Sequence, residues 1–428
     1  MFEVFEDMLS PEYWIRKIDN ADKVIMTPQE IENFNRKVIN KVATIYDLET
    51  YKKSLKKDEL IKLIKSYEMP KKSMYDKYSN LIKKDFYEDV IKNTNLGEVK
   101  DVNPVIYGIA IRNTYIRSFP TEEAVFDKQG DIEFDRFQET GCQALEPVVI
   151  LHRSKDRKWF FIQMYNYRGW IKAEDIAIAK DKKELFDYVN SYKFLVVTGN
   201  YTKTQSNPFD ISVSKREFTM GTKIPLETNK VPRHIGNQSV EGNYVIKIPV
   251  RDSNGNLQFK YSLISKKEDI NLGYLPYTRE NILKQAFKLL GDRYGWGDSF
   301  GGRDCSSYIM YVFKTFGIRL PRNANEQEGV ADKSYKLFIE GMSNGERIRV
   351  FDSVKPGALV YMPGHAMIYI GKEKGIPYII HNFHGYGEKK EDKYEFVPVN
   401  EVMVTSTFLP TTSGVSFIEK FTSVLEIE

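Results

Sequence analysis

Cysteine is almost missing from this sequence, with Cys142 and Cys305 the only two among 428 residues. Two cysteines so far apart build neither a disulfide framework nor a zinc set, and the setting of Cys305, described below, argues that it stays free. Histidine is nearly as scarce, at five. No run of about 18 apolar residues is present, so no helix is expected to span a membrane. Charge of one sign is lacking as well. The 63 basic and 59 acidic residues leave a net +4, which gives no argument for nucleic acid and permits only weak attraction to an anionic polymer. The opening stretch holds Glu3, Glu6, Asp7 and Glu12 and no apolar core, so no signal peptide is read there. Two locations stay open on that reading: the cytoplasm, or the cell envelope reached after an export signal was removed.

What is present suffices for folded modules. Hydrophobic residues make up 41% and aromatics 13%, mostly Tyr (27) and Phe (26). Length suggests about three domains of roughly 150 residues, and the pattern along the chain divides it into four regions. Residues 1–102 read as helical. Thr27-Pro28-Gln29-Glu30 is a capping box with proline at the first helical position, and Ile31, Phe34, Val38, Ile39 and Val42 follow at helical spacing. A second helix is expected from about Asp58 to before Pro70, and a third over 78–91. The lysines of this region read as solvated helix faces rather than a polyanion patch. Two small β modules follow, over 103–180 and 181–272. In the first, Tyr107, Ile109 and Ile111 alternate as a half-buried strand does, and 148–152, 159–164 and 169–171 read as further strands. In the second, strands at 194–197 and 211–213 lead to a hairpin that turns between Asp252 and Asn256. Cys142 is expected in a turn and inert, and His152 and His234 are read as structural or surface groups.

The chemistry concentrates in the last region, 273–428. A glycine-rich loop with Gly295, Gly297, Gly301 and Gly302 runs into an apolar helical segment, and Asp304 and Cys305 stand at the junction. A helix start offers unpaired N–H groups and a partial positive charge, so a thiol there is expected to ionise more easily. Downstream, His365 opens one β segment and His381 ends the next, positions that an antiparallel hairpin makes neighbours. Nucleophile, base and orienting group then come from Cys305, His365 and His381. The residues leave three alternatives open: a small buried cysteine at a tight turn, His384 in place of His381, and a metal pair formed by these two histidines.

Several motifs carry a family resemblance. Arg303-Asp304-Cys305-Ser306-Ser307 after Tyr294-Gly295-Trp296-Gly297, then Gly364-His365-Ala366-Met367-Ile368-Tyr369-Ile370-Gly371, then Ile379-Ile380-His381 resemble the NlpC-type cell-wall peptidases, a papain-like group. Leu320 to Gln327 is similar to another segment of that family, departing near Ala324, where Ser or Thr is common. Residues 117–121 and 166–170 resemble the first of two bacterial SH3 modules found in some members, and 10–14 resembles their N-terminal helical clamp.

The resemblance implies a multidomain α+β protein: a helical N-terminal clamp over 1–102, SH3-like β barrels over 103–180 and 181–272, and a papain-like α+β peptidase domain over 273–428. It implies cleavage between D-glutamate, through its γ-carboxyl, and the diamino acid (diaminopimelate or lysine) of peptidoglycan stem peptides or murein fragments with a free N-terminal L-Ala. Cys305 is then the nucleophile, His365 the base, His381 the polar third member, and Tyr294 an oxyanion contact. Asp304, Ser306, Trp296 and Tyr167 are the implied substrate contacts; Asp304 has an N-cap as its second reading, and Tyr294 and Trp296 have loop packing as theirs. No cofactor, metal or nucleic acid is expected, and the expected state is a monomer. Two other functions stay open: a wall-binding or scaffold protein without catalysis, and a papain-like acyltransferase.

Overall fold

The computed structural model describes residues 4–229, 231–330 and 335–428. They form two compact units, one made of residues 4–43, Tyr274–Gly295 and Phe300–Glu428, the other of Thr44–Gly273 with Trp296–Ser299. The stretch read as one helical region is therefore divided, its first part belonging with the C-terminal residues and the rest with the β modules.

In the second unit, a seven-stranded antiparallel sheet runs in the order Ile176–Ile178, Ile106–Ala110, Pro147–Arg153, Trp159–Gln163, Arg168–Lys172, Thr114–Arg117, Gln138–Cys142. Strands Pro147–Arg153 and Trp159–Gln163 read as nearly continuous apolar runs because both faces are covered. Val149, Leu151, Trp159 and Phe161 enter one core, while Val148, Ile150, Phe160 and Ile162 enter another. Further along lie a three-stranded sheet built on Phe194–Val197 and the long hairpin Asn243–Arg251 with Leu257–Ser265. Three local expectations fail here, the first two for a polar reason. Residues 211–213 form turns rather than a strand, because Asn207 accepts from the N–H groups of Phe209 and Asp210, and Asp210 accepts from Ser212. Such side-chain bonds compete with a ladder. Residues 78–83 are not helical; Asp76 accepts from the N–H groups of Tyr78 and Asn80, and the helix begins only at Lys84–Asn93. Cys142 ends a strand, paired with Thr114 and buried, rather than sitting in a turn.

In the first unit, α1 (Pro11–Ile15) and α2 (Pro28–Lys41) precede the β modules in sequence, and α3 (Arg279–Phe287) and α4 (Cys305–Lys314) are the first of the helices that follow them. The capping box of α2 forms as read, Thr27 accepting from Glu30 N–H while Glu30 accepts from Thr27 N–H at 2.7 Å. The main sheet comprises β1 (Tyr335–Leu337), β2 (Leu359–Met362), β3 (His365–Glu373), β4 (Ile376–Lys390), β5 (Lys393–Ser406) and β6 (Ser423–Leu425), in the order β1-β6-β2-β3-β4-β5, all antiparallel. Helix α4 packs on β3 and β4.

The N-terminal residues grip this sheet. Val24–Met26 pairs with Tyr277–Thr278, Tyr13 donates to Glu373 at 2.6 Å, and Lys17 forms an ion pair with the same carboxylate. Trp14 is fully buried, donates from Nε1 to Met8 O at 2.9 Å, and lies against Tyr378 with ring centroids 5.4 Å apart. Gly371 lets it approach, since a Cβ there would meet the indole at 3.1 Å. Truncating so large a buried ring costs about 3–5 kcal/mol. Trp14→Ala is expected to lose that much in a denaturant melt of the first unit, and an unchanged midpoint would show that the N-terminal grip adds little.

Candidate active site

The α4 N-terminus places the thiol. Asp304 is its N-cap, accepting from Ser307 N–H at 3.0 Å, while Ser307 Oγ accepts from Asp304 N–H at 2.9 Å. Cys305 is thus the first helical residue, and it is buried. Its Sγ lies 4.0 Å from Gly364 O, and the Ala366 N–H points at it, so the sulfur faces the backbone on both sides of His365. The turn Met362-Pro363-Gly364-His365 sets that approach. Proline suits its second position, and Gly364 takes the positive φ of 76° that the third requires.

Strand alternation carries the rest of the site. His365, Met367 and Tyr369 share one face of β3, and Ile379, His381 and Phe383 share one face of β4. His365 Nε2 and His381 Nδ1 are 2.8 Å apart. His381 does not end its strand, as the spacing predicted; β4 runs nine residues further, to Lys390, through polar positions. Burial of His381 is complete. Its ring stacks on Phe383 at 4.1 Å and meets Phe417 edge-on at 5.7 Å, and its Nε2 lies 3.0 Å from Thr405 Oγ1. His384, the alternative partner, turns elsewhere: Nδ1 is 2.6 Å from Asn400 Oδ1 and the ring lies on Phe396 at 4.8 Å.

This dry setting reverses one expectation. Burial pushes the Cys305 thiol up to about 12, with the Asp304 charge adding to it, and the N–H groups of Ala366 and Ser306 and the Arg322 charge recover only part. Burial likewise brings His365 down to about 4, against the pull of Asp304, and holds His381 well below its ordinary range. Near neutrality the three groups are uncharged. The helix start favours a thiolate, yet its effect at the surface is only about 1 kcal/mol, too little to offset full desolvation.

Asp304 does more than cap. Arg322 Nη2 donates to its Oδ2 at 2.6 Å and Nη1 to its Oδ1 at 3.1 Å, both side chains being buried. Ser306 Oγ donates to the same Oδ1 at 3.1 Å and accepts from Arg322 Nη1 at 2.9 Å. Burial pushes the Asp304 carboxyl up, but the Arg322 charge and hydrogen bonds, with Ser307 N–H, outweigh it and hold it below 3.8. Tyr294 bridges to Arg303, donates its N–H to Asn400 O at 2.8 Å and sets its ring 6.4 Å from that of His384. Asn382, next to His381 and fully buried, donates to Arg303 O at 2.7 Å, tying the strand of the histidine to the loop that leads into Cys305.

The structure thus brings Cys305, His365, His381, Asp304 and Ser306 together. Trp296 and Tyr167 belong to the second unit. There the Trp296 ring meets Phe134 at 5.6 Å and carries the Arg136 guanidinium at 5.2 Å, and Tyr167 donates to Glu139. Sequence reading missed Arg322, Asn382 and Thr405. Their partners lie 16 to 79 residues away in the chain, where no local pattern points.

The Arg322–Asp304 pair yields a prediction. A carboxyl held below 3.8 stabilises the fold above that pH and stops doing so as pH falls through its folded value. Arg322→Met leaves the buried carboxylate without its counter-charge, which costs about 3–5 kcal/mol. The variant is expected to melt that much earlier in denaturant and to begin acid unfolding at higher pH than the parent; unchanged curves would mean the pair is solvated.

Comparison with known proteins finds related domains along this chain. The NlpC/P60 family model matches residues 291–388, and the SH3 domain (SH3b1 type) model matches 124–172. The bifunctional muramidase/DL-endopeptidase CwlT of Bacillus subtilis is 43% identical over 56 residues, 13% of this chain and 17% of that protein. The probable endopeptidase p60 of Listeria monocytogenes is 32% identical over 120 residues, 25% of this chain and 21% of that protein. The matched stretches thus span well under two thirds of either relative. The solved NlpC/P60 endopeptidase from Photobacterium damselae subsp. piscicida shares the fold, with a TM-score of 0.76 over 96% of each chain at 20% identity. The chain therefore carries an NlpC/P60 domain over residues 291–388, and ahead of it in sequence an SH3 domain of the SH3b1 type.

Proposed function

We propose that this protein is a cysteine endopeptidase of the cell envelope that hydrolyses the γ-D-glutamyl–diamino acid bond of peptidoglycan stem peptides bearing a free N-terminal L-Ala. The observation that carries the reading is the buried line of Cys305, His365 and His381, with the thiol against the backbone on both sides of His365 and the two imidazoles 2.8 Å apart. The similarity to a muramidase/DL-endopeptidase and a probable endopeptidase supports an endopeptidase reading.

With Nε2–H of His365 donated to His381, Nδ1 of His365 is bare and takes the thiol proton as Sγ attacks the carbonyl. Proton transfer within an uncharged dyad suits so dry a site, because no buried ion pair need be held between turnovers. The N–H groups at the α4 start, together with Tyr294, stabilise the oxyanion of the tetrahedral intermediate. On its collapse His365 returns the proton to the leaving amine. The thioester on Cys305 is then hydrolysed by a water that gives its proton to His365, restoring the thiol as the acid departs. Asp304 Oδ2 accepts from Arg322, and the same carboxylate, with Ser306 beside it, is the proposed contact for the substrate ammonium.

Mass-spectrometric digestion of L-Ala-γ-D-Glu-diaminopimelate, with and without acetylation of the Ala amine, tests the reading. The wild type is expected to cleave only the free-amine peptide and Cys305→Ala neither. Equal cleavage of both peptides would remove the amine pocket from Asp304. Activity in Cys305→Ala would remove the nucleophile, and added amine joined to the product would reveal acyl transfer.

A pH profile gives a separate check. A base is active only when unprotonated, so with His365 lowered to about 4 the acid limb of kcat/KM is expected near that value. A limb near the ordinary 6.5 would show the imidazole to be solvated.

A further inference from the structure

Two linked imidazoles leave a direction undecided. In one arrangement His365 Nε2–H donates to His381 Nδ1; in the other the proton between them sits on His381, and His365 carries its own proton on Nδ1. Only the first makes His365 a base for Cys305. A neutral His381 that accepts at Nδ1 holds its proton on Nε2, and that N–H needs an acceptor in a fully buried, aromatic-lined site.

We propose that Thr405 is a positioning residue that supplies this acceptor and so sets the direction of the histidine relay. Its Oγ1 lies 3.0 Å from His381 Nε2, and both side chains are wholly buried. Strand pairing puts it there. His381 stands opposite Met403 and Ile379 opposite Thr405, so Thr405 is the diagonal neighbour of His381 on the same sheet face. On that face of β4 the buried neighbours of His381, Ile379 and Phe383, are apolar and offer it no acceptor from their side chains. The inference rests on the Cys305–His365 reading for its consequence, though the tautomer it assigns to His381 stands without it.

Replacing the hydroxyl by a methyl strands the His381 Nε2–H among aromatic rings. The proton then shifts to Nδ1, is donated to His365 Nε2, and leaves the His365 proton on Nδ1, the nitrogen proposed to serve the thiol. Thr405→Val is expected to lower kcat on L-Ala-γ-D-Glu-diaminopimelate by about 10- to 100-fold, the scale for removing a group that orients a functional histidine, with KM nearly unchanged. Thr405→Ser keeps the acceptor and is expected to restore most of the rate.

The deciding readout is the ring tautomer of His381, read from two-bond nitrogen–proton correlations in labelled full-length protein. The account expects Nε2–H in the wild type and in Thr405→Ser, and Nδ1–H in Thr405→Val. A Thr405→Val enzyme with wild-type kcat, or one whose His381 keeps Nε2–H, would overturn the proposal. If the valine variant does not fold, the wild-type spectrum still decides, because Nδ1–H on His381 would contradict the assigned direction. A wild type that cleaves nothing would remove the peptidase reading and leave the tautomer experiment to judge Thr405.

Discussion

The buried hydrogen bond between His365 and His381 depends on several elements of the first unit at once. It exists because two strands of one sheet bring same-face residues together, and it stays dry because Phe383 and Phe417 close over it. The thiol is held to the same place from the other side. Asp304 fixes the start of α4, Arg322 fixes Asp304, and Asn382 ties the preceding loop to the strand of His381. Moving any of these elements would shift Sγ relative to the imidazole, and a misplacement of about 1 Å is enough to cost a large factor in rate.

Electrostatics at this site is a contest that burial wins. A helix start, the Arg322 guanidinium and two N–H groups favour negative charge on sulfur, while desolvation and the Asp304 carboxylate oppose it. The same dryness keeps both imidazoles neutral. Asp304 and Arg322 are the charged pair of the neighbourhood, and they neutralise one another at 2.6 Å. The resulting centre is preorganised and uncharged, so that charge develops when the thiol proton moves.

Local signals were the legible part of this chain. The Thr27-Pro28-Glu30 start, the Cys305 helix and the strands carrying His365 and His381 follow from capping and alternation, both of which act over a few residues. The choice between His381 and His384 did not follow from spacing alone. Alternation puts His381 and His384 on opposite sides of β4, and the pairing with β3 then selects His381. The length of β4 was hidden because its far end, Glu388 to Lys390, is charged and exposed. Thr405 and Arg322 were invisible for a different reason: each owes its role to one distant partner, and a lone Thr or Arg carries no pattern. Residues 211–213 misled in the opposite sense, an apolar alternation defeated by Asn207 and Asp210 capping their own loop.

The most direct test of a neutral resting dyad is a pH titration of thiolate ultraviolet absorbance, taken as the difference between wild type and Cys305→Ala. The account predicts no thiolate step at or below the ordinary thiol value of 9.0, with absorbance rising only at strongly alkaline pH. A step well below 9.0 would mean that Cys305 rests as a thiolate beside a charged His365, and would contradict the claim that burial rather than the helix start governs this site.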